Sequence, residues 1–481
     1  MNIIHISAEC YPIAKVGGLA DVVGSLPKYL NEEGQHCEVV IPKYKNDWVV
    51  ENDFEEVYSG EFNLKGESIE FSVQLLLSKG LGYPVYFIDI PGKFDRPGVY
   101  IDPLSGHPYW DEKERFISFQ ISVLEWLKVR KEKPEIIHCH DHHTGLVPFM
   151  TSQCNRYREL SQIPTLITVH NAEYQGRYEM ENYQLLPAFN LDNIGLLEWD
   201  YMLNSLATGL KTAWQITTVS KNYMTELKQK SNGLESLFQH EEQKSTGIIN
   251  GIDTKVWDPE TDELLDHNFS YRSRKSGKAK NKKALCDRFG LDPKFPTIAF
   301  IGRLVKEKGA DLLPELIANY LDEKKKVNFV LLGTGDPALH TVFKEMSNDY
   351  VGFFDATLEY NEKLAHQIYA GSDFILMPSR VEPCGLNQMF AMRYGTIPIV
   401  RAVGGLKDSV IDIEDSEGYG ICFDSFSLKK AKKAVDRAID LFGNETLFNQ
   451  TRAKVMKLDF SWNRSAKEYI DVYTKLNEKV S

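Results

Sequence analysis

Long apolar runs are missing from this sequence: no stretch approaches the roughly 20 apolar residues that cross a bilayer. A basic amino-terminal segment is missing too, and the short apolar opening is broken by His5 and Glu9, so a secretory signal peptide is not expected. Cysteine is sparse and unpatterned. The 7 residues (Cys10, Cys37, Cys139, Cys154, Cys286, Cys384, Cys422) are odd in number and form no CxxC pair, which suits a reducing cytosol. Positive charge is in deficit, with 56 Lys and Arg against 68 Asp and Glu for a net charge of −12. A surface of that sign excludes general binding to nucleic acid or anionic membranes. The expectation is a cytoplasmic protein with neither as a partner, in which a few placed cations hold any phosphate-bearing ligand. Solenoid-length repeats and low-complexity tracts are absent, and the sequence leaves oligomeric state unassigned.

What is present is an ordinary globular balance, 42% hydrophobic and 26% charged. At 481 residues the chain is too long for one core and suits two domains of about 200 residues each. Short apolar runs alternate with longer amphipathic stretches. NIIHIS, CEVVIP, PVYFIDI, EIIHCHD, TLITVHN and QITTVS read as buried strands in the first half. PTIAFIGRL, VNFVLLGTG, VGFFDAT, DFILMPS and TIPIVRA restart the pattern after residue 290. Continuous apolar strands separated by helices predict parallel sheets covered on both faces. A polar, Gly- and Lys-rich stretch separates the halves, placing the boundary near residue 246. The expected domains are 1–245, 246–460, and a final amphipathic helix over 461–481. In open α/β sheets, ligands sit beyond the carboxyl ends of the strands, so a cleft between the two domains is expected.

The chemistry-bearing residues gather after those strands. Lys15 precedes Gly17 and Gly18 where a strand gives way to a helix, and bare amides at a helix start attract anions. The spacing is neither GxGxxG nor GxxxxGK[ST], and a plain Gly turn beside a solvated lysine would look the same. VGGLKDSV, Val403 to Val410, repeats the feature in the second half. IGRLVKEKG sets Arg303 and Lys308 in one post-strand loop, a fork and a point charge for a diphosphate. PSRVEPCGLNQ holds Glu382 between a strand end and a helix. A carboxylate there accepts hydrogen bonds from sugar hydroxyls or stabilises positive charge at an anomeric carbon, although a helix-terminal Glu favoured by the dipole is the plainer alternative. IIHCHDHHTGL falls one position short of a metallohydrolase HxHxDH. His138 and His140 share a strand face, distant further ligands would be needed, and no metal is expected. His138 is assigned to the core, and Asp141 and His143 to a cleft. TVHNAEYQG places His170 and Asn171 likewise after a strand.

In their order along the chain, AKVGGLADVVGSLPKYL, HDHHTGL, TVHNAEYQG, TVSKNY, GIINGIDTKVWDP, GKAKNK, IGRLVKEKG, PSRVEPCGLNQ and YGTIPIVRAVGGLKDSV resemble the bacterial glycogen synthases and plant starch synthases. The resemblance spans essentially the whole chain. It implies a GT-B architecture: two Rossmann-like, doubly wound parallel-sheet domains around a cleft, with the last helix crossing back to the first domain. The implied activity is transfer of glucose from ADP-glucose to the non-reducing end of an α-1,4-glucan with retention of configuration, without cofactor or metal.

By the same resemblance, Lys15 is similar to a lysine near the sugar and diphosphate, and Gly18 to a glycine whose backbone approaches the phosphates. Arg303 and Lys308 resemble the pair that neutralises the leaving diphosphate. Glu382 resembles the glutamate beside the sugar, with Cys384, Gly385 and Leu386 lining it. His170, next to Asn171, resembles a histidine by the reacting sugar, and Asp141 an aspartate that orders hydroxyls. Tyr360 resembles a tyrosine stacked on adenine, and Asn204 a polar residue by the acceptor. Two departures stand out. His142 replaces the usual tryptophan after that aspartate, and Val403 replaces the threonine before Gly404 and Gly405, leaving backbone amides to serve the phosphates.

A departing diphosphate needs little protonation, and preorganised cations and amides supply its stabilisation. UDP-glucose as donor, or a small-molecule acceptor, remains an alternative within the same fold. A non-catalytic glucan-binding protein would lack one of these cations or carboxylates, and none is missing.

Overall fold

The structure is a computed structural model that describes residues 1–479. Contacts divide the chain into two units: Met1–Ile248 together with the segment from Trp462 onward, and Ile249–Ser461. The divisions fall within a few residues of 245 and 460.

The first unit carries strands β1 (Asn2–Ile6), β2 (His36–Pro42), β3 (Phe54–Leu64), β4 (Glu67–Leu76), β5 (Val85–Asp89), β6 (Ile136–His140) and β7 (Thr165–Val169). A small antiparallel sheet follows, made of β8 (Arg177–Tyr178), β9 (Glu198–Trp199) and β10 (Met202–Asn204). The main sheet then resumes with β11 (Gln215–Thr218) and β12 (Ser245–Gly247). Its spatial order is β12-β11-β7-β6-β1-β2-β5-β4-β3. Seven strands are parallel. The chain builds outward from β1 through β2 and β5, then returns to the other side of β1 with β6. The winding therefore reverses between β1 and β6.

The β3–β4 hairpin extends this sheet antiparallel to β5, an element the apolar-run pattern does not signal. Its strands alternate polar and apolar residues because one face meets water. Lys65 and Gly66 form the turn, both at positive φ (51° and 90°), the backbone that a two-residue hairpin needs.

The second unit contains β13 (Thr297–Ile301), β14 (Asn328–Leu332), β15 (Phe354–Thr357), β16 (Phe374–Met377), β17 (Ile397–Arg401) and β18 (Ile421–Phe423). They form one wholly parallel sheet in the order β15-β14-β13-β16-β17-β18. This is the doubly wound 3-2-1-4-5-6 order, with its reversal between β13 and β16.

The final helix, Trp462–Glu478, belongs to the first unit's core. Trp462, Tyr469, Tyr473 and Leu476 pack with Ile3, Val22, Leu26 and Tyr29. Each such side chain contributes about 1.5–3 kcal/mol on full burial.

Two of the three lysines of GKAKNK, Lys278 and Lys282, are structural. Lys278 is buried in the helix Arg274–Phe289 and donates to the Tyr369 and Ser372 carbonyls and to Thr396 Oγ1. Lys282 and Arg452 both pair with buried Asp373, at 2.6 and 2.9 Å. Burial pushes the Lys278 ammonium well below its ordinary pKa, whereas its two cationic partners hold the Asp373 carboxyl below its own despite burial.

Candidate active site

In the first unit the informative residues follow β1, β6 and β7. After β1, buried Glu9 ties down the loop that carries Lys15. Its Oε2 accepts from the Val16 and Gly17 amides at 2.6 and 2.9 Å, and its Oε1 accepts from Tyr100 Oη at 2.7 Å. Desolvation pushes the Glu9 pKa up, and the two amides and the tyrosine oppose it. The helix start expected to offer bare amides therefore has two of them occupied by the protein's own carboxylate. Gly18 opens the helix Gly18–Glu32, and a Cβ there would meet nothing within 4 Å. That leaves room for a ligand against its backbone. Lys15 Nζ lies 2.7 Å from Asp21 Oδ1 and 5.1 Å from the centre of the Tyr11 ring.

Asp141, directly after β6, has φ 56° and ψ −174°. That backbone region is nearly reserved for glycine and costs roughly 1–3 kcal/mol. Its Oδ1 accepts from the His170 amide at 2.7 Å, which joins the ends of β6 and β7. Burial raises the Asp141 pKa from 3.8 to about 7, against the amides of His170 and Asn171. The Asn171 side chain accepts from the Glu173 amide at 3.0 Å and so shapes the turn. His170 is nearly buried, and desolvation lowers its pKa to about 3, so its ring is neutral at physiological pH.

Two of the expected site residues in this unit are engaged inward. Asn204 is fully buried. Its Oδ1 caps the helix Ser205–Thr212 through the Ala207 amide, and its Nδ2 donates to Gln175 Oε1 at 2.8 Å. With both polar atoms committed inward, it acts as a helix cap in this structure. His143 is buried among aromatic rings. Its ring stacks on Tyr100 at 4.6 Å and lies 4.6 Å from Phe116. His142 is buried against His143 with ring centres 3.7 Å apart.

Two clusters bring three potential metal ligands within 4.8 Å of one another: His5, His138 and His140, and Glu112, His142 and His143. In the first, both nitrogens of His138 and of His140 are already hydrogen-bonded, so an ion would have to displace those bonds.

In the second unit the residues follow β13 and β16, on either side of the winding reversal. Lys308 Nζ donates to Glu382 Oε1 at 2.7 Å, and Ser379 Oγ donates to Glu382 Oε2 at 2.9 Å. Their two loops are cross-linked. Arg380 makes a two-pronged ion pair with Asp311, at 2.5 and 2.7 Å, and its amide donates to the Glu307 carbonyl. Arg303 is exposed and 3.5 Å from Glu307 Oε2. Leu386 is half-buried, while Cys384 is buried with its thiol pKa pushed up to about 12, which leaves it unreactive. Gly385 turns at φ 72° beside Glu382. Tyr360 is largely exposed in the loop after β15.

Gly404 and Gly405 have a packing role. A Cβ on either would come within 2.0 Å of the Glu382 carbonyl or 2.2 Å of the Cys384 carbonyl. The Gly405 amide already donates to the Glu382 and Pro383 carbonyls at 3.0 and 3.1 Å. It is not the bare phosphate donor expected. These glycines seat the Glu382 loop.

Sequence patterns miss Glu9, Tyr100 and Ser379 as parts of these constellations. Only Glu9 carries a signal, an acidic residue within an otherwise apolar strand exit.

A family model described as the starch synthase catalytic domain matches residues 2–240, and one described as glycosyl transferases group 1 matches residues 281–448. A glycogen synthase from Flavobacterium johnsoniae is 49% identical over 474 residues, 98% of each chain. The chain belongs to the glycogen and starch synthase family.

A Streptococcus sanguinis glycogen synthase is 36% identical to this family member over 99% of it and 100% of the relative. The starch synthase IV catalytic domain from Arabidopsis thaliana, solved with ADP and acarbose, superposes with TM-score 0.87 at 32% identity over 99% of both chains. A sucrose-phosphate synthase from Thermosynechococcus elongatus shares the fold alone, at TM-score 0.60 and 17% identity. The GT-B class expected from sequence is the fold of this glycogen and starch synthase family member. Among the described residues no helix is long and apolar enough to cross a membrane.

Proposed function

We propose that the protein transfers a glucosyl unit from ADP-glucose to the non-reducing end of an α-1,4-glucan, retaining the anomeric configuration and releasing ADP. The Lys308–Glu382–Ser379 cluster carries this reading. It fixes a cation at the carboxyl edge of a doubly wound sheet, where such folds bind nucleotides. The related starch synthase structure contains ADP and acarbose, a nucleotide diphosphate and an oligosaccharide analogue.

In this scheme Arg303 and Lys308 take the charge that develops on the diphosphate as the glycosidic bond breaks. A charge-assisted contact of this kind is worth roughly 1.5–3 kcal/mol, and no metal ion is required. Glu382 holds Lys308 in place and offers its remaining lone pairs to sugar hydroxyls. Gly18 and Lys15 approach the phosphates, Tyr360 stacks on the base, and His170 and Asp141 contact the sugars. No side chain is assigned as a covalent nucleophile, so retention follows a front-face course. The departing phosphate oxygen takes the acceptor hydroxyl proton as the new bond forms.

Incubation with ADP-glucose or UDP-glucose, each with malto-oligosaccharides, tests the proposal. Ladders extended one glucose at a time, and faster with ADP-glucose, are expected. Transfer only to small alcohols, or only from UDP-glucose, would refute it in favour of another transferase on this fold.

A further inference from the structure

We propose that His5, His140 and His170 form a one-directional hydrogen-bond chain that holds His170 as a fixed Nδ1–H donor, with His140 as its positioning residue. The three rings are hydrogen-bonded in series. His5 Nδ1 lies 3.1 Å from His140 Nε2, and His140 Nδ1 lies 3.0 Å from His170 Nε2. The ends of the chain differ. His5 Nε2 is buried without a partner among the described residues. His170 Nδ1 takes no hydrogen bond from the protein among the described residues, and the residue keeps 8% of its surface exposed.

A neutral imidazole carries one proton, so the chain has two self-consistent states. In one, every proton sits on Nδ1 and points toward His170. In the other, every proton sits on Nε2, and His5 buries an N–H with nothing to receive it. Orphaned buried N–H groups are the rarer kind of unsatisfied atom, so the sealed end keeps a bare lone pair and the protons point outward. Desolvation lowers the pKa of His5 and of His170 to about 3 and that of His140 well below its ordinary value. The chain is therefore uncharged, and only its tautomer is variable.

His138 stiffens the arrangement. Its ring stacks on His140 at 4.2 Å and is itself fixed by Tyr473 Oη and Thr168 Oγ1 at 2.8 and 2.6 Å. A histidine locked this way donates a hydrogen bond to a sugar oxygen and cannot serve as a base. This consequence rests on the reading of His170 as a sugar contact; the chain itself does not.

Ring-¹⁵N-labelled protein, with His170 assigned through a His170→Asn variant, tests the chain directly. His5, His140 and His170 should each be protonated on Nδ1 and bare on Nε2, and ADP-glucose should shift the His170 Nδ1–H signal. A bare Nδ1 on His170, or a mixture of tautomers, overturns the proposal. In assays, His140→Phe should lower kcat about 10- to 100-fold and leave the donor KM within about threefold. His140→Asn, whose amide still faces His170, should recover most of that loss. An unchanged kcat in His140→Phe removes the positioning role. The ring spectrum needs no turnover, so an enzyme inactive on ADP-glucose would refute the proposed function and leave the tautomer result standing.

Discussion

Lys308 Nζ sits 2.7 Å from Glu382 Oε1, and the far oxygen of the same carboxylate is held by Ser379. Two residues that sequence assigns separate tasks, one at the diphosphate and one at the sugar, are thus a single unit. A lysine side chain loses up to about 2 kcal/mol of rotamer freedom when fixed. The pairing removes that entropy before substrate arrives.

Lys308→Gln should lower kcat on the order of 100- to 1,000-fold, with the fold intact by circular dichroism. Glu382→Gln should fall in the same direction, because the lysine loses its anchor. The double variant should lose little more than the worse single variant, since residues acting as one unit are not additive. Losses that multiply would show two independent roles.

Asp141 predicts a pH effect of definite sign. Its folded pKa is about 7 against an ordinary 3.8, so the folded protein binds more protons between those values. Stability therefore falls as pH rises through that window. Asp141→Asn keeps an oxygen for the His170 amide and removes the titration. It should be more stable than the parent by about 2–4 kcal/mol at pH 8, with the gain shrinking toward pH 4. Glucosyl transfer should be largely lost, as strain and buried charge at a working site trade stability for activity. Urea titrations at the two pH values measure the difference, and an equal gain at both would show that burial of charge is not its source.

Glu9 predicts a positioning effect. Glu9→Ala strips the Val16 and Gly17 amides of their acceptor and frees the loop bearing Lys15. Each amide left without its acceptor costs roughly 1–3 kcal/mol when buried, and with the loop half open to water kcat/KM for the donor should fall about 10- to 100-fold. A Lys15→Gln, Glu9→Ala double variant should match Lys15→Gln alone within about threefold. Steady-state kinetics on the three proteins decide the point.

The strand ends that carry Lys15, Asp141, His170, Arg303, Lys308 and Glu382 are legible in sequence because buried parallel strands are continuous apolar runs. Residues just past such runs must lie at one edge of a sheet. The β3–β4 hairpin is not legible in that way. Its alternation is half polar, and its turn is the unremarkable pair Lys65-Gly66. Side-chain commitment is also hidden. Asn204 and Gly405 look available in sequence, yet Gln175 and the Ala207 amide occupy one, and the Glu382 carbonyl occupies the other. Gln175 and Glu382, 29 and 23 positions away, become visible as partners only when the fold brings them together. Glu9 shows the converse, because its role depends on Tyr100, 91 positions away.

Asp373 predicts a purely structural loss. It is buried against Lys282 and Arg452 and accepts from the Thr297 amide. Asp373→Ala leaves two cations unpaired, which costs about 3–5 kcal/mol when a buried pair is broken from one side. The second unit should melt earlier in calorimetry, and whatever protein remains folded should keep its KM for the donor.

Asn204 separates a cap from an acceptor contact. A cap lost to alanine costs about 0.5–2 kcal/mol, and the Gln175 Oε1 partner loses one of its donors, although Arg177 still reaches it at 2.9 and 3.0 Å. Asn204→Ala should therefore lower stability by about 1–2 kcal/mol in urea. The KM for malto-oligosaccharides should stay within about twofold, because a fully buried amide has no surface to offer a sugar. Asn204→Asp keeps the capping oxygen but cannot donate to Gln175, so it should recover the cap and lose the side-chain bond. A large rise in glucan KM in either variant, with stability unchanged, would return Asn204 to the acceptor side of the reaction.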